Sequence, residues 1–332
     1  MEMAATLDLH ELCANLTKVA LKAGGLIRNA RTTGLDNRQT SAITCKKNTA
    51  DIVTETHQAS EELIRWYLLE WYPSIKFIGE ESFKAGLDRI TNAPTFVVDP
   101  IDGTSNFVHG LPEVCVSIGL VVSRKPTVGV VHNPFTGELW TAIKGNGAYY
   151  SRTHARVQDG KDNTDICHEA QAVKLPRFPA PFSADGLRGA CIGIEFGSDR
   201  QGPNFDMNLK VFTTLARTQH TGGLFVNSLR CVGSAALAIC RVASGQQEAF
   251  WECGCWAWDV AAAWCILEEA GGIMVDGHPG GWQPPVDNRR YLAVRPALGE
   301  VSGRRTGQKQ QEDFVNEFWS TLGELRSTYG PL

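Results

Sequence analysis

Residues 114–150 restrict the possible folds of this chain more than any other stretch. They contain at least three β-rich segments, separated by turn signals at Arg124–Pro126, Asn133–Gly137 and Gly145–Gly147. Short apolar runs joined by turns of this kind indicate antiparallel strands that follow one another. The most apolar run, Val114–Val122, is far shorter than the roughly 20 residues of a membrane-spanning helix. The sequence therefore predicts an antiparallel meander with a buried strand at its start.

Helical patterns precede this meander, and strands and helices alternate after it. Apolar residues recur every three to four positions over 7–30 and again over 59–71, as in amphipathic helices. Shorter apolar runs and further helical patterns complete the assignment. We expect strands at 75–78, 95–98, 191–195, 247–251, 273–275 and 291–294, and helices near 205–217, 233–243, 259–270 and 311–326. This order predicts α/β layering, either in one large domain or in two fused halves.

Two segments lack such a pattern. Residues 152–190 are polar and contain Pro176, Pro179 and Pro181, so we expect a long connection between the two halves. Residues 277–310 are rich in Gly, Pro and Arg, and we expect a surface loop around the strand at 291–294. The patterned residues therefore divide into a first half of about 1–190 and a second half of about 191–332.

The net charge of the chain argues against nucleic acids and membranes as partners. Its 36 acidic and 32 basic side chains give a net charge of −4, which leaves no basic surplus for a nucleic-acid backbone or an anionic membrane. We therefore expect no nucleic acid and no membrane as partners. Residues 1–10 contain neither a basic leader nor an apolar run with a cleavage site, which predicts a cytoplasmic location.

The ten cysteines are spread over the 332 residues and lie mostly in apolar runs. This distribution favours buried thiols over a disulfide framework. Cys253 and Cys255 form the one close pair, and no second Cys/His pair at zinc spacing accompanies them. We therefore expect both to be structural.

Three acidic clusters stand where secondary elements begin or end, namely Gly79–Ser82, Asp99–Thr104 and Trp258–Val260. Each one alone has an ordinary explanation. Glu80 and Glu81 would usually be solvated, an Asp-Gly pair is a common turn, and an acidic residue near a helix start can cap the helix.

The second cluster is harder to explain without a ligand. Asp99 and Asp102 follow an apolar run, Pro100 stiffens the turn between them, and Thr104 begins a predicted short helix. Two repelling carboxylates beside a helix N-terminus suit a hard cation such as Mg²⁺ together with a phosphate oxygen. Haloacid-dehalogenase-like phosphatases have one residue between their two aspartates. This chain has two, so we expect no phospho-aspartyl mechanism.

These clusters resemble the signatures of the inositol monophosphatase family, a lithium-sensitive, Mg²⁺-dependent phosphatase superfamily. The resemblance is carried by Gly79–Ser82, Val98–Gly110, Trp258–Ala263 and Glu269–Gly272, and also by Lys46–Thr54 and Val232–Ala236. It runs in order from about Ala14 to Gly277, while residues 152–190 and the tail after Gly277 match poorly. It implies one domain over 1–332 with the αβαβα sandwich of sugar phosphatases, a mixed and antiparallel sheet in the first half, and a homodimer.

The resemblance also implies roles for individual residues. One metal ion would be bound by Glu80, Asp99 and the backbone carbonyl of Ile101, and a second by Asp99, Asp102 and Asp259. A third, weaker ion would rely on Glu80 and water, so the cofactor is expected to be two or three Mg²⁺ per site. The substrate would be bound by Asp102, by the backbone N–H groups of Gly103 and Thr104, and on its alcohol side by Glu252 and the helix start at Gly233, Ser234 and Ala235. Glu80 and the Thr104 hydroxyl would orient and deprotonate the attacking water.

His57 is a departure from the family pattern. An Asp that orients the threonine usually stands there, three residues after the Asp-x-Val-Thr segment, and this chain has Thr54-Glu-Thr-His57. Neutral His can accept a hydrogen bond from Thr104, whereas protonated His cannot. We therefore expect His57 to have a catalytic role and activity to fall on acidification through the His57 pKa. The alternative is that His57 is merely tolerated on a helix.

The leading hypothesis is a Mg²⁺-dependent phosphomonoesterase that hydrolyses inositol monophosphate, or a similar small polyol phosphate, by direct attack of a metal-activated water. Relatives act on fructose bisphosphate, phosphoadenosine phosphate or histidinol phosphate, and Gly254–Asp259 resembles fungal members encoded with quinate-utilisation genes. A non-catalytic regulatory member of the family is the alternative from another class, motivated by His57, Cys253 and the unmatched 152–190 segment. The retention of all four metal carboxylates favours the enzyme.

Overall fold

A computed structural model of the chain describes residues 7–40, 49–153, 172–297 and 306–331. Its helices are α1 (Leu9–Thr40), α2 (Thr49–Trp71), α3 (Thr104–His109), α4 (Pro203–Ala216), α5 (Ala235–Ala243), α6 (Ala257–Glu269) and α7 (Gly307–Leu322). Its strands are β1 (Lys76–Gly79), β2 (Thr95–Asp102), β3 (Cys115–Val122), β4 (Lys125–His132), β5 (Glu138–Ile143), β6 (Gly147–Arg152), β7 (Val173–Lys174), β8 (Cys191–Ile194), β9 (Ser228–Arg230), β10 (Ala249–Cys253), β11 (Ile273–Asp276) and β12 (Arg290–Val294). Residues 41–48, residues 154–171 of the 152–190 connection and residues 298–305 of the 277–310 loop lie outside the described residues.

Strands β1 to β7 form the first sheet and follow their order along the chain. β1 is parallel to β2, and every other neighbouring pair is antiparallel. Successive side chains of a strand point to opposite faces, so Val116, Ile118 and Leu120 of β3 share one face. That face packs on α1 and α2 through residues such as Leu16 and Ile64.

The opposite face of the first sheet packs on α5 and α6. Helix α6 lies over β3 and β4, where a Cβ added to Gly129 would clash with the Ala262 carbonyl oxygen and one added to Gly119 would lie 3.1 Å from Ala262 N. These glycines let the helix backbone approach the strands closely. Ser117 Oγ of β3 also donates to the Trp258 carbonyl at 3.1 Å. The start of α6 is therefore fixed against the first sheet.

A second sheet, with the order β11-β12-β10-β8-β9, packs on the other side of α5 and α6. Its far face is covered by α4 and α7 through Val211, Phe314 and Phe318. The layers are then helix, sheet, helix, sheet and helix, which confirms the predicted α/β class and the αβαβα sandwich.

The predicted meander is confirmed, with four antiparallel strands between residues 115 and 152. Helix α1 extends to Thr40, ten residues beyond the predicted end. Strand β2 was predicted to end at Val98 but continues to Asp102, because a register shift between Asp99 and Asp102 accommodates Pro100 in the strand. The short strands β7 and β9 were not predicted, since two or three residues carry no alternating pattern.

Eight cysteines lie in the described residues, and all eight are free thiols. Six are buried, as the apolar runs predict, while Cys191 is half-buried and Cys231 is exposed. In the ranges that the structure describes, no helix combines the length and apolar character needed to cross a bilayer.

Candidate active site

The acidic residues predicted from the sequence line one cavity of about 500 Å³. One side of this cavity, which we call the carboxylate wall, is formed by Glu80, Asp99, Asp102 and Asp259. A second set of lining residues, the loop wall, consists of Glu195–Ser198, Arg200, Glu252 and Gly254–Trp256. The predicted substrate residues Gly103, Thr104, Gly233, Ser234, Ala235 and Glu252, and the predicted ligand Ile101, also line the cavity.

Asp99 lies in the irregular part of β2 and is 3% exposed. Its Oδ1 accepts a hydrogen bond from the Ile101 N–H at 2.9 Å, which orients the carboxylate across the turn made by Pro100. Glu80 follows β1, and its N–H donates to the Val98 carbonyl at 3.2 Å. The parallel pairing of β1 with β2 therefore brings Glu80 beside Asp99.

Asp102 connects the first sheet to the helix layer. Its Oδ2 accepts from the Ser234 hydroxyl at 2.6 Å and from the Ala236 N–H at 2.8 Å, at the start of α5. Ser234 is also the N-cap of α5, because its Oγ accepts from the Leu237 N–H at 3.2 Å. The hydroxyl of Ser234 is therefore already bonded to Asp102 and to the first turn of α5. A substrate would have to contact the backbone of Ser234 or replace one of these hydrogen bonds.

Asp259 stands in the first turn of α6, and its Oδ2 accepts from the Trp256 N–H at 2.7 Å. This bond is the helix cap that the sequence offered as the ordinary explanation. The same carboxylate also lines the cavity with the other three acidic residues. The capping bond uses one oxygen of Asp259 and leaves the other oxygen available to a ligand in the cavity.

Burial raises the pKa values of all four carboxylates, and for Glu80, Asp99 and Asp259 the charges of other members of the wall raise them further. Burial, followed by the charges of Glu80, Asp102 and Asp259, raises the pKa of Asp99 well above its ordinary value. Burial also raises the pKa of Glu80 to about 7 and that of Asp102 to about 6, and the pKa of Asp259 rises by burial and by the charge of Asp102. In the part of the chain that the structure describes, no Lys or Arg forms a salt bridge with any of the four. The wall therefore holds more negative charge than the surrounding side chains neutralise.

Beside this wall, β2 is followed by the short helix α3. Gly103 has φ 96°, and a side chain there would meet the Glu113 carbonyl oxygen at 2.5 Å, so this position favours glycine. The first N–H groups of a helix have no partner within the helix. Thr104 begins α3 at the cavity, and its hydroxyl lies 3.4 Å from the Ile101 carbonyl and 3.3 Å from His57 Nε2.

His57 of α2 is buried, with 4% exposed, and has a neighbour at each ring nitrogen. Nε2 faces the Thr104 hydroxyl, and Nδ1 lies 3.3 Å from Glu81 Oε1. Burial lowers the pKa of His57 to about 4, because the ring is enclosed while the Glu81 carboxylate remains partly in solvent. His57 is therefore neutral over the ordinary pH range. The side chains of residues 49–54, which include Thr54, lie outside the described residues.

Several residues at the cavity were not predicted from the sequence. Glu195, Ser198 and Arg200 of the loop wall line it, as does Trp256. Glu195 follows β8, and its Oε1 accepts from the Gly233 N–H at 2.8 Å and from the Val232 N–H, which holds the segment before α5. The position of Glu195 at a strand end was a usable signal, since the Asp99 cluster was selected on that same ground.

Glu252 lies on β10 and faces Glu195 across the loop wall. Burial, followed by the charge of Glu195, raises the pKa of Glu252 to about 8. At neutral pH this side chain is mostly a protonated carboxyl group, which can both donate and accept hydrogen bonds. The cavity therefore combines the four acidic side chains of the carboxylate wall with a loop wall that carries Glu195, Arg200 and the mostly protonated Glu252.

The model of the inositol monophosphatase family matches residues 8–320. The chain belongs to this family. The inositol monophosphatase 2 of Saccharomyces cerevisiae is 44% identical over 84% of the chain and 86% of its own length. Protein qutG of Emericella nidulans is 34% identical over 96% of the chain and 95% of its own length. Family membership identifies the protein as a phosphoric monoester hydrolase of a metal-dependent family.

A comparison of structures agrees with the family assignment at the level of the fold. Staphylococcal IMPase-II, solved with inositol monophosphate bound, superposes with a TM-score of 0.61 at 24% identity. The superposition covers 93% of this chain and 96% of that structure. The layered sandwich is therefore the fold of known family members.

Proposed function

We propose that this chain is a Mg²⁺-dependent phosphomonoesterase that hydrolyses inositol monophosphate or a similar small polyol phosphate. The observation that carries the proposal is the convergence of Glu80, Asp99, Asp102 and Asp259 from three separate segments on one cavity. The relative named inositol monophosphatase 2 and the inositol monophosphate bound to the staphylococcal structure support the choice of substrate class.

The donor set of the carboxylate wall fits hard divalent cations. Its side chains offer oxygen ligands only, and their pKa values are raised first by burial and then by neighbouring negative charge. Among the described residues, no Lys or Arg forms a salt bridge with any of the four. Glu80, Asp99 and the Ile101 carbonyl would hold one ion, Asp99, Asp102 and Asp259 a second, and Glu80 a weaker third. Bound Mg²⁺ would supply Lewis acidity, which lowers the pKa of water and neutralises phosphate charge.

The first turn of α3 would bind the phosphate group of the substrate. The N–H groups of Gly103 and Thr104 begin this helix beside the carboxylate wall, where the positive end of the helix attracts an anion. Binding there would orient the phosphorus for direct attack by water. No side chain needs to form a covalent intermediate.

Glu80 and the Thr104 hydroxyl would orient and deprotonate the attacking water, and His57 would orient the Thr104 hydroxyl. With a proton on Nδ1, facing Glu81, neutral His57 presents the lone pair of Nε2 to the Thr104 hydroxyl. The hydroxyl then donates to His57, and its own lone pairs are free to accept from water. Histidine thus serves the orienting role for which relatives use Asp.

The loop wall would contact the alcohol part of the ester. Glu252 can accept and donate hydrogen bonds to vicinal hydroxyls, and the backbone of Gly233, Ser234 and Ala235 lies at the same side of the cavity. A polyol fits these groups better than an apolar alcohol, because buried polar groups left unpaired reduce affinity.

A panel assay tests this proposal. Phosphate release is measured with inositol 1-phosphate, fructose 1,6-bisphosphate, phosphoadenosine phosphate and histidinol phosphate, with and without Mg²⁺ and Li⁺. We expect Mg²⁺-dependent, Li⁺-inhibited turnover that is fastest for inositol 1-phosphate. A preference for another ester would replace the substrate, and no turnover of any ester would refute the proposal. The homodimer implied by the resemblance is tested separately by light scattering.

A further inference from the structure

The C-terminal residues 327–329, which we call the C-terminal clamp, lie behind the loop wall. The Ser327 N–H donates to His278 Nε2 at 2.9 Å, and the Thr328 N–H donates to Asn204 Oδ1 at 2.8 Å. Arg290 Nη1 donates to the Tyr329 carbonyl at 2.8 Å. Side chains from α4, β12 and the segment after β11 therefore fix the backbone of the clamp after α7 has ended.

Tyr329 of the clamp holds the first loop of the loop wall. Its hydroxyl donates to Asp199 Oδ2 at 2.9 Å, and Asn204 Nδ2 donates to the same oxygen at 2.7 Å. Asp199 lies between Ser198 and Arg200, which both line the cavity. The loop contains Gly197 and is followed by Gly202, both with positive φ, so its own backbone is not stiff.

Tyr329 also supports the second loop of the loop wall. The guanidinium carbon of Arg289 lies 3.8 Å from the ring centroid of Trp256 and 4.8 Å from that of Tyr329, so the cation is placed between the two rings. Arg289 Nη2 donates to the Gly254 carbonyl at 2.9 Å. Gly254 has φ 116°, and a Cβ there would lie 3.1 Å from Tyr329 Cε2.

We propose that the C-terminal clamp positions the two loops that recognise the alcohol part of the substrate, with Tyr329 as the residue that joins them. The inference rests on the proposed function, in which the loop wall contacts the alcohol. Most of the carboxylate wall has separate supports, namely the β1–β2 pairing beside Glu80 and Asp99 and the hydrogen bonds of Asp102 at the start of α5, while Asp259 accepts from the Trp256 N–H of the loop wall. Loss of the clamp should therefore change substrate recognition more than the chemical step.

The test compares Tyr329→Phe and Tyr329→Ala with Arg326→Ala as the matched control. Arg326 is exposed, and its Nη1 donates to the carbonyls of Gly323 and Leu325 in its own turn. Steady-state kinetics are measured at saturating Mg²⁺ with inositol 1-phosphate and with p-nitrophenyl phosphate, which lacks vicinal hydroxyls. Hydrogen exchange is measured over 195–202 and 253–257, and thermal unfolding confirms that each variant is folded.

We expect Tyr329→Phe to raise KM for inositol 1-phosphate about fivefold, the ratio for a net hydrogen bond of about 1 kcal/mol. Tyr329→Ala should raise it about tenfold or more, with kcat within about threefold and little change for the aryl ester. Exchange should accelerate in both loops for Tyr329→Ala and remain unchanged for Arg326→Ala.

Two results would overturn the inference. One is unchanged exchange in both loops, and the other is an equal loss for both esters in kcat rather than KM. If the unaltered protein hydrolyses neither ester, the proposed function fails, and the exchange measurement still decides whether Tyr329 holds the loops.

Discussion

The carboxylate wall and the loop wall of the cavity differ in what fixes their side chains. Asp99 and Asp259 accept from N–H groups within three residues, and Asp102 accepts from Ser234 and Ala236 at the start of α5. Most of the loop wall lies instead on the segments that follow β8 and β10, which are held by the side chains of Tyr329 and Arg289. The carboxylate wall is therefore built on strands and helix ends, and the loop wall on loops held by distant side chains.

This difference has a consequence for how each wall tolerates change. A side chain on a rigid strand or helix end keeps its geometry when remote residues vary. A loop that depends on contacts with the chain terminus can shift when the terminus varies, and it can therefore accept another alcohol. If the carboxylate wall holds the metal ions and the loop wall contacts the alcohol, substitutions in the carboxylate wall should have large kinetic effects. Substitutions in the loop wall should have smaller effects that depend on the substrate.

The largest effect is expected for Asp99→Asn. The amide keeps the shape of the side chain but removes the charge that would be shared between two cations, so kcat should fall about 10³-fold or more. In metal-free protein the same change removes a buried, repelling carboxylate, so its Tm should rise at pH 8. Phosphate release and thermal unfolding measure the two outcomes.

Asp206→Asn is the matched control for this charge change, since Asp206 is exposed in the first turn of α4. It should leave kcat unchanged. An Asp99→Asn variant with ordinary kcat would show that the carboxylate wall is not the catalytic side, and the comparison of the two walls would fail.

A smaller loss is expected for Thr104→Ala, about 10²-fold in kcat, because the general-base path through the hydroxyl is lost. Thr104→Ser keeps the hydroxyl and should stay within about threefold of the unaltered protein. Equal losses in the two variants would mean that the hydroxyl has no role and that the methyl packing matters instead.

The partner of this hydroxyl gives a pH prediction. The pKa of His57 is lowered to about 4, so the ring stays neutral and able to accept from Thr104 until the pH approaches that value. His57→Asp and the unaltered protein should therefore show the same pH dependence of kcat above about pH 5 and differ only below it. A divergence near pH 6.5 would show that the ring titrates as in an open environment.

The lowered pKa of His57 also makes the stability of the folded protein depend on pH. The unfolded chain binds a proton at His57 near pH 6.5, whereas the folded chain does so only near pH 4. The stability contributed by this group is therefore present above pH 6.5 and is lost as the pH falls from there to 4.

The sequence identifies the carboxylate wall well because its signals are local. Asp99 and Asp102 follow one apolar run, and Asp259 stands in the first turn of one apolar helix, so patterns of a few residues place them. The loop wall has no such signature. Nothing in the sequence near Asp199 indicates Tyr329, 130 residues away, as its partner, and only the folded chain brings them together.

Details of packing also escaped the sequence. The close approach of α6 to the first sheet depends on Gly119 and Gly129, which read in isolation as weak points in strands. Glu81, the partner of His57 at Nδ1, lies in the acidic cluster Gly79–Ser82. In that cluster only Glu80 was predicted to have a role, as a metal ligand. Neither relation repeats at a helical or strand period, so neither is visible as a pattern.

At the loop wall, Glu252→Gln should have a modest effect that grows with pH. The amide resembles the protonated carboxyl group, which is the main form of Glu252 below its pKa of about 8. We expect KM for inositol 1-phosphate to rise about twofold at pH 7 and about fivefold at pH 9, where the ionised carboxylate makes stronger hydrogen bonds with hydroxyls.

The control for Glu252→Gln is p-nitrophenyl phosphate, whose alcohol offers no vicinal hydroxyls and whose KM ratio should stay near one at both pH values. If the KM ratio of variant to unaltered protein were the same for the two esters, Glu252 would not recognise the vicinal hydroxyls. The predicted difference between the two walls would then be wrong.

A further prediction concerns the stabilisation by Mg²⁺ and its dependence on pH. Glu80 and Asp102, with pKa values of about 7 and 6, are mostly protonated at pH 5.5 and ionised at pH 8. For carboxyl groups whose folded pKa is raised, the folded state is favoured below the unfolded pKa, and this contribution is lost as the pH rises through the folded pKa. Metal-free protein should therefore lose stability from this wall between about pH 4, near the ordinary pKa of a carboxyl group, and about pH 7, the pKa of Glu80 in the folded protein.

Mg²⁺ binds the ionised carboxylates and competes with protons for them. At 100 times the dissociation constant it would stabilise the fold by about 2.7 kcal/mol, or roughly 3–5 °C in Tm for a chain of this size. The Tm gain should therefore be largest at pH 8 and nearly absent at pH 5.5. Asp99→Asn should flatten this dependence, whereas Tyr329→Phe should leave it unchanged, because the Tyr329 hydroxyl is bonded to Asp199 and to none of the four carboxylates. A gain in Tm that is independent of pH would mean that Mg²⁺ binds outside the carboxylate wall.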